Sequence, residues 1–79
     1  MEELSAKHTA RIKRIGERVK EFRLKKGYTS YETFAFEHDL PRVQYGRLER
    51  GAANFKMASL LRVLDIHKIS LEDFFVGLK

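Results

Sequence analysis

Sixteen of the 79 residues are Lys or Arg, and these cations are the main chemical resource of the chain. Two of them, Arg42 and Arg47, lie in a segment in which Tyr45 and Leu48 stand three apart and share one helix face. That leaves both guanidiniums off the apolar face. An outward Arg can pair through two parallel hydrogen bonds with a planar acceptor edge, contact a phosphate, or stay solvated. Gln44 lies between them and can donate to a phosphate or a base edge, and Val43 offers an apolar contact. Other chemistry has few carriers. With no cysteine, thiolate nucleophiles, disulfides and Cys-ligated zinc are excluded. His8, His38 and His67 are spread along the chain without ligand spacing, the carboxylates are scattered, and there is no GxxxxGK[ST] or GxGxxG loop. Catalysis, a metal site and a cofactor are therefore not expected.

Length and charge narrow the class. A chain of 79 residues is one small domain that buries only ~60% of its unfolded surface, leaving little volume for a deep substrate pocket. The formal net charge is +5, and its excess is confined to one end. Residues 1–26 hold nine Lys/Arg against four Asp/Glu, whereas residues 27–51 hold three against four. Such an excess favours a polyanion, nucleic acid before an anionic membrane, or is simply a solvated helix face. No run approaches the ~18 apolar residues that span a bilayer, and Met1–Ala10 has no apolar core of a secretory signal. The expected compartment is the cytoplasm.

The elements that must position these side chains are all helical. Ile12, Ile15, Val19 and Phe22 predict a first helix over 11–26, open to an earlier start at Ser5 and ended by Gly27. Residues 1–10 are then an N-terminal extension, which can continue into that helix, and 11–79 the domain proper. Lys7, Arg11, Arg14, Arg18 and Lys25 follow the same period on another face. Thr29-Ser-Tyr-Glu32 has the form of a capping box opening a short second helix with Phe34 and Ala35 inward. Asp39 suits a turn, Pro41 a first helical position, and Gly51 the end of a third helix. Asn54 is a candidate cap for a fourth helix, in which Met57, Leu60, Leu61 and Leu64 form the inner stripe. Ser70-Leu-Glu-Asp73 is a second capping box, opening a fifth helix with Leu71, Phe74 and Phe75. The expected fold class is all-α, with five helices.

Helices two and three, joined by about three residues, have helix-turn-helix proportions. From about Ile12 to Phe75 the sequence resembles the Cro/repressor-type (XRE) helix-turn-helix family. The likeness is carried by Arg23, Lys26-Gly27, the twenty-residue stretch Tyr31–Arg50 with Phe34, Ala35, Leu40, Tyr45 and Leu48, the ending Arg47-Leu-Glu-Arg-Gly51, Asn54, Leu60-Leu61, and Ser70-Leu-Glu-Asp-Phe-Phe75. Departures are Asp39 at the usual turn Gly, Pro41 at the usual cap, Tyr31 at the usual phosphate-binding Gln, and one extra residue before Tyr31. The resemblance implies a lambda-repressor-like domain whose third helix enters the major groove of double-stranded DNA. It implies Arg42, Val43, Gly46 and Arg47 as outward positions, Gln44 and Tyr31 as further contacts, and Arg23–Glu49 as an internal ion pair. It also implies a homodimer on a palindromic site, for which Phe75–Leu78 is either the dimer surface or a local cap over the core. Gly46, a helix-interior glycine costing up to ~1 kcal/mol against alanine, suits close approach either to DNA or to a neighbouring helix.

The function this predicts is sequence-specific DNA binding by a transcriptional regulator, most simply a repressor, without a small-molecule ligand or membrane partner. The alternative on the same fold is a protein-interaction module, such as an antitoxin or accessory subunit; an acidic outer face on the third helix would favour it, and Arg42, Arg47 and Arg50 argue against it.

Overall fold

The computed structural model describes residues 5–78, and among these every regular element is a helix. Their order is α1 (Ala6–Lys25), α2 (Tyr31–Glu37), α3 (Arg42–Arg50), α4 (Met57–His67) and α5 (Leu71–Val76). The all-α class and the five helices expected from the sequence are present. None of these helices is long and apolar enough to cross a membrane.

Local chemistry sets the helix ends. The Ser5 hydroxyl accepts from the His8 N–H at 3.2 Å, so α1 begins at Ala6 and takes up part of the expected N-terminal extension; Met1–Leu4 lie outside the described residues. Gly27 leaves α1 in the left-handed region, with φ +98°. The cap of α2 is Ser30 rather than Thr29: its hydroxyl accepts from the Thr33 N–H at 3.2 Å. The cap is thus one position later than expected, and Thr33 rather than Glu32 stands three residues after it. Glu32 therefore turns outward to Arg42, with 3.5 Å between them, instead of back to the cap. Pro41 is the extended residue before α3 and not its first helical residue, and Gly51 ends α3 with φ +71°. Asn54 caps nothing, because α4 starts after Lys56 without a side-chain cap. Ser70 caps α5 as expected, accepting from the Asp73 N–H at 3.0 Å. Each such hydroxyl cap contributes about 1 kcal/mol.

The core gathers Val19, Phe34, Ala35, Leu40, Tyr45, Leu48, Leu60, Val63, Leu64 and Phe74. In α4 the buried stripe is Leu60, Val63 and Leu64, while Met57 and Leu61 are exposed, a rotation of one position from the expected pattern. The rotation accompanies Arg62, whose guanidinium reaches back to donate to the Asp39 carbonyl at 2.9 Å. In α5 only Phe74 is fully buried; Leu71 and Phe75 remain partly exposed and Val76 largely so. Arg18 fixes this short helix. Its Nε donates to the Phe74 carbonyl at 2.8 Å, and its guanidinium lies over the Phe22 and Phe74 rings at 5.2 and 5.5 Å. Arg18 is thus a packing residue rather than part of a solvated stripe, and Arg14 turns to Glu17 and Glu21 at 3.8 and 3.6 Å.

His67 closes α4 against Phe22 and lies nearly parallel to Phe34, with ring centroids 5.5 Å apart. Its Nε2 is buried without a hydrogen-bond partner. Burial first, then Lys26 and His38, push its pKa down to about 4. A free imidazole titrates near ~6.5, so between these values the unfolded chain holds a proton that the folded chain does not. Stability is expected to be level above about pH 6.5 and to fall as the pH drops toward 4. Urea titrations across that window should show the loss, and His67→Leu should flatten it; an unchanged slope in the variant would assign the loss to other groups.

Candidate nucleic-acid interface

Helix α2 buries Phe34 and Ala35, and the chain then reverses through Asp39, which takes a left-handed φ of +59°. An Asp side chain tolerates that region better than most. The turn is held on three sides. The Leu40 N–H donates to the Ala35 carbonyl at 2.8 Å, Leu40 itself is buried, and Arg62 binds the Asp39 carbonyl from α4. This fixes α3 relative to α2 before any ligand is present.

In α3, Tyr45 and Leu48 face the core, and both are fully buried. The exposed side carries Arg42, Val43 and Arg47, with Gln44 at its edge. The Arg42 side chain is 66% exposed and Val43 is 58% exposed, while Gln44 and Arg47 are half-buried. Arg42 is drawn toward α2 by Glu32, but both partners are so exposed that the pair is worth less than about 1 kcal/mol and yields readily to a better acceptor. Among the described residues Arg47 pairs with no carboxylate.

Gly46 is not outward; it is buried. A Cβ built there would lie 3.3 Å from the Tyr31 ring and 3.0 Å from the Arg50 guanidinium. The missing side chain makes room for Tyr31, which is stacked on Tyr45 at 6.4 Å between centroids. Tyr31 and Gly46 are therefore brought together, beside but not on the Arg42–Val43–Arg47 face.

Arg23 and Glu49 lock α1 to the last turn of α3. Arg23 Nε and Nη2 donate to the two Glu49 oxygens at 2.7 and 2.9 Å, and Nη1 donates to the Tyr28 carbonyl at 2.8 Å. Their side chains are only 5% and 9% exposed. The Tyr45 hydroxyl lies buried beside the pair with no hydrogen bond of its own; burial, and then the Glu49 carboxylate, push its pKa up. Two residues that govern this geometry were not singled out in the sequence. Gly16 lies where α1 crosses the end of α3, and Arg62 pins the turn. A glycine in the middle of an otherwise good helix was a readable signal for the first, by the same argument that singled out Gly46. Arg62 had no such signal, since its partner is a backbone carbonyl 23 positions away.

No family model, curated protein or solved structure matches the chain.

Proposed function

We propose that this chain is a lambda-repressor-like, sequence-specific double-stranded DNA-binding protein acting as a transcriptional regulator. The observation that carries the reading is the rigidly held α2–turn–α3 unit, whose third helix turns Arg42, Val43 and Arg47 away from the core. Arg42 and Arg47 supply guanidiniums suited to guanine O6 and N7, and Val43 an apolar contact for a thymine methyl. Gln44 stands at the flank of the same surface. A second copy meeting the first through Phe75 and Val76, which α5 leaves partly exposed, would pair two such units on a palindromic site. The alternative, an interaction module on the same fold, draws support from Phe36, an aromatic side chain 84% exposed on α2.

Salt titration separates the two. Affinity for duplex DNA is expected to fall steeply with ionic strength, because several phosphates lose their counterions on binding. Arg42→Ala and Arg47→Ala are each expected to cost about 1–3 kcal/mol on a site selected from random duplexes, and to relax base preference at one position. An equal loss on random DNA would make that Arg a phosphate contact. A chain that binds no duplex at low salt would favour the interaction module.

A further inference from the structure

We infer that the cleft where α1, α2 and α3 meet is a seat for a DNA backbone phosphate, with Lys20 and Arg50 as its cationic contacts. This rests on the DNA-binding reading above and adds to it two contacts that the reading does not use. The cleft, of about 450 Å³, is lined by Glu17, Lys20, Tyr31, Gly46, Glu49 and Arg50. Gly46 lines it without a side chain, and both the Arg50 guanidinium and the Tyr31 ring come close to the place a Cβ would take, at 3.0 and 3.3 Å.

The charge balance of the cleft is what makes it an anion site. Glu49 lines it, but both carboxylate oxygens are taken by Arg23, so that charge is neutralised within the protein. Glu17 lies only loosely against Arg14, at 3.8 Å. Among the described residues neither Lys20 nor Arg50 pairs with a carboxylate. Two uncommitted cations from two different helices thus share one concave surface with a single available acid. The same surface adjoins α3, so a duplex read by Arg42 and Arg47 would bring a backbone strand along this side of the helix. A phosphate held there gains charge-assisted bonds from a planar guanidinium and a mobile ammonium, contacts that fix position without reading sequence.

The test is a salt titration on specific and random duplexes by fluorescence anisotropy, with the fold of each variant checked by thermal unfolding. Lys20→Gln and Arg50→Gln are expected to weaken both duplexes equally. Each should also make log affinity fall less steeply with log salt, and the double variant should lose about 0.9 of slope in all, the value for one phosphate. Glu17→Gln should tighten binding to both duplexes, a gain that a merely structural role for these residues would not give. A steep wild-type slope left unchanged by the two cation variants would overturn the seat while leaving the DNA-binding reading intact. A wild-type chain that binds neither duplex at low salt would overturn both.

Discussion

Gly16→Val should leave the chain largely unfolded, and even Gly16→Ala should lower its stability by more than about 3 kcal/mol, beyond the usual range for an overpacked core. A Cβ at position 16 would lie 2.5 Å from the Glu49 carbonyl oxygen, 2.6 Å from that of Leu48 and 2.8 Å from the Gly51 nitrogen. All three are backbone atoms, so no side chain can rotate away; α1 and α3 must separate. Gly51 meets the same crossing from the other side. A Cβ there would lie 2.5 Å from the Lys13 Cα, and its φ of +71° is in any case strained for other residues. Separation would also pull Arg23 from Glu49, because Gly16 and Arg23 are two turns apart on one face of α1. A domain of this length has only about 4–12 kcal/mol of stability to lose. The sign makes the experiment decisive. On an exposed helix, glycine to alanine stabilises by up to ~1 kcal/mol, so a raised melting temperature in Gly16→Ala would mean that the helices do not approach this closely. Gly46→Ala is the contrasting case. Its Cβ meets only the ends of Tyr31 and Arg50, which can shift, and its effect on melting should be small.

That contrast marks what the sequence could and could not reveal. Helix identity was legible because it rests on local signals: apolar spacing in α1, the left-handed glycines 27 and 51, and the hydroxyl cap of α5. The inward faces of α2 and α3 were legible for the same reason, since Phe34, Ala35, Tyr45 and Leu48 follow the helical period. What failed was whatever depends on the distance between helices. For Gly46 the sequence leaves open close approach to DNA or to a neighbouring helix, and only the packed structure decides for the second, with a ring from α2 lying beside it. Arg18 has the period of a solvated stripe, but it is held by a carbonyl 56 positions away. The α4 stripe is turned by one residue, toward Val63 and away from Leu61, and the pattern of apolar residues admits either choice. Within the candidate interface, Arg42 and Val43 could be placed outward from α3 alone. The cleft containing Lys20 could not be placed at all, because it exists only once three helices have packed.

Glu49→Gln should lower the melting temperature by at least about 10 °C, because it removes one charge from a buried pair and leaves the other without compensation. Arg23 is 4% exposed, and its guanidinium is satisfied by the two Glu49 oxygens and the Tyr28 carbonyl. Glutamine keeps the shape, but it turns one acceptor into an amide donor that faces another donor. Breaking one side of such a pair typically costs about 3–5 kcal/mol, and for a domain of this size each kcal/mol shifts melting by about 4–8 °C. The pair joins α1 to the last turn of α3 and contributes no outward group. Stability should therefore suffer more than the affinity of the molecules that remain folded. The double variant Arg23→Met, Glu49→Leu separates charge from shape. If the penalty comes from an uncompensated guanidinium, replacing both partners by apolar groups should recover most of the lost melting temperature, since apolar substitutes for buried ion pairs are often neutral or stabilising. An unchanged melting temperature in Glu49→Gln would mean that the pair is effectively solvated, and the rigid placement of α3 would then have to rest on the Gly16 crossing and the Arg62-held turn alone.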